Sequence, residues 1–233
     1  MRSSMWHALG NTYVVVEPVD TGPLDAVHIR ELSRTTDGVL EVVSAGEEEV
    51  EIVIWNPDGS QAELSGNGTR IAAAWLAERS GAREIDVVVA GRVVASRILE
   101  SGEIEQALGE VEVGPPEVLD GVTFVPVSVG NPHAVVVGDP PEIQRLGPFL
   151  ETHARFPNRT NVQVVRVDGP GELTARVWER GVGETPSSGT SAVAVAAATH
   201  REGDVLVHFP GGDLQVRLEG GRAYLTGPAE RID

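Results

Sequence analysis

Two serines stand at corresponding points of two similar stretches, and what surrounds them gives them chemistry to do. The first lies in Leu64-Ser65-Gly66-Asn67-Gly68-Thr69-Arg70. An apolar run, Val50 to Trp55, and the turn signal Asn56-Pro57-Asp58-Gly59 precede it, and an alanine-rich helix predicted over Ile71 to Glu78 follows. The second lies in Ser187-Ser188-Gly189-Thr190, between an apolar run ending at Trp178 and an alanine-rich helix predicted over Ala192 to His200. Glycine lets a backbone approach a ligand closely, and the free N–H groups and dipole of a helix start favour an anion such as a carboxylate. Two hydroxyls at two such starts, facing one carbon from opposite sides, could take a proton from one face and deliver one to the other. Inverting a stereocentre needs that arrangement. Taken alone, the loops fit a passive anion-binding site equally well.

Composition removes several alternatives. The 18 basic residues are all arginine, so a Schiff-base lysine for pyridoxal phosphate is excluded. With no cysteine, thiolate nucleophiles, iron–sulfur clusters and cysteinyl zinc sites are excluded too. The six histidines show no H-E-x-x-H or similar spacing, so a metal is not expected. A formal net charge of −17 argues against nucleic acid or an anionic membrane as partner. No apolar run is long enough to span a bilayer, and the cytoplasm is the default compartment.

The elements that must position the two serines recur in order. Ser65 and Ser188 are 123 apart, as are Trp55 and Trp178. Gly10-Asn11 before the run Tyr13 to Val16 is matched by Gly130-Asn131 before Ala134 to Val137, at an offset of 120. Helical spacing at Leu24 to Arg34 is matched near Pro141 to Leu150, and the hairpin at Glu84 to Leu99 by the one at Val205 to Leu218. A strand Glu110 to Val113 ends at Gly114-Pro115, as Ala223 to Thr226 ends at Gly227-Pro228. The chain therefore reads as an α/β protein of two similar modules, residues 1–116 with 223–233 and residues 117–222. Each is expected to be a curled mixed β-sheet around a central, nearly all-apolar helix, with an active-site cleft between them.

His7-Ala8-Leu9-Gly10-Asn11, Asn56-Pro57-Asp58-Gly59-Ser60, Ser65-Gly66-Asn67-Gly68, Gly130-Asn131-Pro132-His133, Asn161-Val162, Glu179 to Thr185 and Leu225 to Ala229 run in an order that resembles the diaminopimelate epimerase family. The resemblance covers essentially the whole chain. It implies a cofactor-independent, metal-free isomerase that converts LL-diaminopimelate to the meso form on the way to lysine and peptidoglycan, commonly as a homodimer. Carried over by motif, Asn11, Asn56, Asn131, Asn161, Glu179 and Arg180 would bind the distal amino-acid end of this small-molecule substrate. Gly66, Asn67, Gly189 and Thr190 would hold the carboxylate at the reacting centre, and His133 and Glu179 would tune the acid–base pair.

The departures fall on the reacting atoms. Ser65 and Ser188 stand where the family has cysteines, one thiolate and one thiol. A thiol titrates near ~8.5, whereas a serine alkoxide is unavailable without an activating base, and His133 is the only candidate base by motif. Thr12 stands where aspartate is usual, Ala8 where glycine is usual, and Thr35-Thr36-Asp37-Gly38 is a trimmed segment. Three readings follow: an epimerase whose thiols were replaced and which traps its ligand, a relative in which serine hydroxyls do slower or different isomerisation, or an amino-acid-binding relative without catalysis.

Overall fold

The structure, a computed structural model, describes residues 2–17 and 24–232; Met1 and Asp233, the ends of the expected first module, lie outside the described residues. The chain divides into two compact units, Met1–Ala107 with Thr226–Asp233, and Leu108–Leu225.

In the first unit β1 (Ser3–Ala8) and β2 (Asn11–Val16) form an antiparallel hairpin. After α1 (Ala26–Leu32), β3 (Gly38–Ala45) lies parallel to β2 and turns back into β4 (Glu49–Trp55). The short β5 (Gln61–Ala62) and α2 (Gly66–Ser80) then lead to β6 (Glu84–Val89), parallel to β4, and on to antiparallel β7 (Arg92–Ile98) and β8 (Ile104–Glu110). The second unit starts with β9 (Glu112–Val113) and β10 (Glu117–Leu119) and then repeats the scheme. Strands β11 (Val122–Ser128) and β12 (Pro132–Val137) are antiparallel; α3 (Ile143–Glu151) leads to β13 (Asn161–Gly169), parallel to β12; and β14 (Glu172–Glu179) turns back. Next come β15 (Gly183–Thr185), α4 (Gly189–Thr199), β16 (Gly203–Phe209) parallel to β14, antiparallel β17 (Gly212–Glu219), and β18 (Arg222–Gly227); β19 (Glu230–Arg231) belongs to the first unit and pairs antiparallel with β1. The order of elements and the sense of each pairing recur, so the duplicated mixed α/β design is present.

Both long helices are core elements. From Gly66 to Ala73, and at Trp75 and Leu76, α2 is buried, and it touches β1, β2, β3, β4, β6 and β7. In the same way α4 is buried from Gly189 to Ala196 against β11, β12, β13, β14, β16 and β17. A helix wrapped by its sheet has little room for a polar face, which is why both segments are rich in alanine.

Three expectations need correction. The glycine stretches are not loops: α2 begins at Gly66 and α4 at Gly189, so Gly66-Asn67-Gly68 and Gly189-Thr190 are first helical turns. Gly68 is needed there, because a Cβ would lie 3.2 Å from the Leu40 side chain of β3. The helix α4 ends at Thr199, one residue short of the predicted end, with His200 as its C-cap in an extended conformation. The unit boundary falls at Ala107/Leu108, ahead of Pro115-Pro116. The reason is hydrogen bonding: β9 pairs with β11, and Gly114 N–H donates to Pro126 O, which ties residues 112–114 to the second sheet.

Candidate active site

In the first unit β2 supplies two side chains to the start of α2. Successive strand residues point to opposite faces, so Asn11 and Tyr13 share one. Asn67 Nδ2 donates to Asn11 Oδ1 at 3.3 Å, and the Tyr13 hydroxyl lies 3.2 Å from Ser65 Oγ. Ser65 is the N-cap of α2, its Oγ accepting from Gly68 N–H at 3.0 Å. Beneath them lies Arg70, 0% exposed, whose Nη2 donates to Asn67 Oδ1 at 2.6 Å and whose Nη1 and Nε reach the Gly66 and Pro228 carbonyls. Burial lowers its pKa to about 10, so the guanidinium stays charged at neutral pH and puts a fixed cation under the first turn of α2.

The second unit repeats the framework with other side chains. Asn131 Nδ2 donates to Thr190 Oγ1 at 3.3 Å, the counterpart of the Asn11–Asn67 contact. His133, two residues on, corresponds to Tyr13. Its Nε2 lies 2.8 Å from Asn131 Oδ1 and its Nδ1 3.0 Å from Gln163 Nε2, which also donates to Ser191 Oγ. Since the amide nitrogen can only donate, Nδ1 accepts, the ring proton sits on Nε2, and the imidazole is neutral. Desolvation at 1% exposure pushes its pKa down to about 3, and the Arg180 charge adds to it. With both nitrogens committed, His133 orients Asn131 and holds no proton to exchange at neutral pH. Ser188 is the N-cap of α4, 5% exposed, and its hydroxyl makes no capping bond.

The remaining predicted residues, Asn56 excepted, lie around the Glu179–Thr185 turn. Asn161 bridges two segments, its Nδ2 donating to Pro132 O at 3.1 Å and its Oδ1 accepting from Arg180 N–H at 2.9 Å. Glu179 Oε1 accepts from Thr185 Oγ1 at 2.7 Å. Asn56 lies apart from that turn, in the first unit: it follows β4, and its Nδ2 donates to Ser60 Oγ at 3.0 Å, a local turn contact. Thr12 is turned toward Asp37, whose Oδ2 accepts from the Thr12 N–H at 2.7 Å and from its hydroxyl at 2.9 Å.

Four residues at the site escaped sequence reasoning. Tyr13 could have been found by its period-two spacing from Asn11, and Gln163 as an amide inside the apolar run Val162 to Val165. Arg70 carried no signal of burial. Glu151 ends α3 and clamps the Glu179–Thr185 turn, accepting from Gly181 N–H at 2.7 Å, Trp178 Nε1 at 2.8 Å and Arg159 Nη1 at 3.2 Å. Burial would raise its pKa, but these three donors hold the carboxyl below its ordinary value. Among the described residues no cluster of three or more His, Cys, Asp or Glu side chains could hold a metal, and no helix is long and apolar enough to cross a membrane.

The duplicated α/β design, with a capped, buried helix in each unit, is the fold of known epimerases and racemases. A predicted epimerase from Pseudomonas aeruginosa superposes with a TM-score of 0.74 at 18% identity, covering 100% of this chain and 97% of that one. A hydroxyproline epimerase from Agrobacterium vitis gives 0.68 at 14% identity, covering 99% and 88%. At these identities the likeness shows the fold alone.

The sequence pattern described as "Diaminopimelate epimerase" matches residues 3–118 and 125–232, and the chain belongs to that family of isomerases. The diaminopimelate epimerase of Desulforudis audaxviator is 35% identical over 272 aligned positions, covering 100% of this chain and 97% of that protein. That of Xanthomonas campestris is 36% identical, covering 98% and 93%.

Proposed function

We propose that this protein is a cofactor-independent epimerase of diaminopimelate in which Ser65 and Ser188 occupy the positions of the acid–base pair. In this role one hydroxyl takes the α-proton of the substrate and the other delivers a proton to the opposite face of the α-carbon. The observation that carries this reading is the recurrence of one arrangement: a serine at the N-cap position, a glycine in the first helical turn, and an asparagine, at the start of β2 or just before β12, bonded to the residue after that glycine.

In this reading Gly66, Asn67, Gly189 and Thr190 bind the carboxylate of the reacting centre through their helix starts. Asn11, Asn56, Asn131, Asn161, Glu179 and Arg180 bind the distal zwitterion, which needs donors and acceptors together. His133 and Gln163 keep Asn131 in register, and Glu151 fixes the turn that carries Glu179 and Arg180. The Tyr13–Ser65 contact favours working hydroxyls over a purely passive binding site. The placement in lysine and peptidoglycan synthesis, in the cytoplasm and as a homodimer, follows the family.

Incubating the purified chain with LL-diaminopimelate and resolving the isomers by chiral chromatography tests the assignment. Conversion to the meso isomer, faster in Ser65→Cys/Ser188→Cys, is the expected result. No conversion by either form would remove the reaction while leaving the family membership intact.

A further inference from the structure

A serine hydroxyl gives up its proton far less readily than a thiol, so a working Ser65 needs a partner that can hold charge. Tyr13 is 7% exposed, with its hydroxyl 3.2 Å from Ser65 Oγ, and a phenol is a far stronger acid than an alcohol, so it holds negative charge more readily than the serine does. The ring is held in place by its neighbour: Gly38 pairs with Tyr13 across β2 and β3, and a Cβ there would lie 2.7 Å from Tyr13 Cε1. The ring occupies space that a side chain at Gly38 would otherwise fill.

The hydroxyl's own inventory fits. Ser65 Oγ has one proton and two lone pairs, and Gly68 N–H takes one lone pair. With its proton given to the Tyr13 oxygen, one lone pair stays open for a substrate. The helix start and the buried Arg70 cation in the same turn both favour negative charge there.

We propose that Tyr13, as phenolate, drives proton removal through Ser65. The step rests on the reading that the substrate α-carbon lies beside Ser65. As the α C–H bond breaks, its electron pair stays on carbon, Oγ takes the proton, and the proton already on Oγ passes to the phenolate oxygen. The site ends with neutral serine, neutral tyrosine and a carbanion, so charge and atoms balance, and the reverse step returns the proton. Tyr13 does not touch the substrate; it acts through Ser65. The second unit has no such pair: His133 occupies the corresponding position, but its nitrogens face Asn131 and Gln163. The Ser65 face therefore exchanges its proton with solvent faster than the centre inverts.

The test is loss of the α-proton signal of diaminopimelate in deuterated water, followed by NMR from pH 6 to 11. It compares wild type, Tyr13→Phe, Ser65→Cys and the Ser65→Cys/Tyr13→Phe pair, with ligand affinity measured alongside. Wild type should exchange faster than it inverts, rising about tenfold per pH unit up to the phenol's apparent pKa. Tyr13→Phe should lower exchange by about 100-fold or more with affinity unchanged and should remove that pH step. The same change should matter little once Ser65 is cysteine, because a thiol ionises unaided. Equal rates and profiles in wild type and Tyr13→Phe overturn the proposal, as does exchange by Ser65→Cys with none by wild type, which still leaves the site reading standing. No exchange by any form, with no binding, overturns both.

Discussion

Burial outweighs every other influence at His133. The folded imidazole takes up a proton near pH 3 and an unfolded one near 6.5, so between these values the unfolded chain binds more protons. Stability contributed by the neutral ring is fully present above about pH 6.5 and is lost as pH falls, at about 1.4 kcal/mol per unit from this group. Denaturant unfolding at a series of pH values should show that slope in the wild type and a shallower one in His133→Asn. Equal slopes would mean that the ring titrates normally. Burial also decides Glu151, where three donors outweigh desolvation. Glu151→Ala should cost about 2–4 kcal/mol, because the Trp178 indole, the Gly181 amide and Arg159 all lose their acceptor. A change within experimental error in denaturant unfolding would contradict the clamp.

The two N-terminal caps differ although their sequences look alike. Ser65 accepts a bond from the helix and Ser188 does not. Ser65→Ala should therefore cost about 1 kcal/mol of unfolding free energy and Ser188→Ala only a few tenths; equal costs in chemical denaturation would remove the asymmetry. Gly38→Ala should destabilise by about 1–3 kcal/mol, since the added carbon meets both the Tyr13 ring and the Trp55 carbonyl at 2.7 Å. A neutral effect on unfolding would mean that the ring is free to move.

At this scale sequence reasoning was strongest where periodicity was clean. The strand Glu84–Val89 and the core strands either side of both helices follow from alternating or continuous apolar runs. It failed where local signals mislead. A Gly-Asn-Gly stretch reads as a loop because glycine is a poor helix former, yet tertiary burial holds it in a helix. Strands β1 and β11 carry serine with histidine or proline among their apolar residues, β10 is only three residues long, and none of the three was marked.

Over the whole chain, the repeat was legible because a duplicated element order leaves landmarks at nearly constant offsets. The unit boundary was not, because Pro115-Pro116 reads as a linker while hydrogen bonds to β11 assign the residues before it to the second sheet. Motif resemblance supplied the set of candidate site residues, but not their local partners. Tyr13 against Ser65 and Gln163 against His133 are long-range contacts that no spacing along the chain encodes. A dimer of this 24.7 kDa chain should appear in light scattering behind size-exclusion chromatography at twice the chain mass, and a monomer would contradict that inference.

The central claim is that one substrate carbon lies between two serine-capped helix starts. A crystal structure of the full chain with diaminopimelate bound tests it most directly. The account predicts the reacting carboxylate on the first turns of both α2 and α4, with the α-carbon about 3–3.5 Å from Ser65 Oγ on one face and from Ser188 Oγ on the other. A ligand bound away from either serine, or with both hydroxyls on the same face of the carbon, would contradict it.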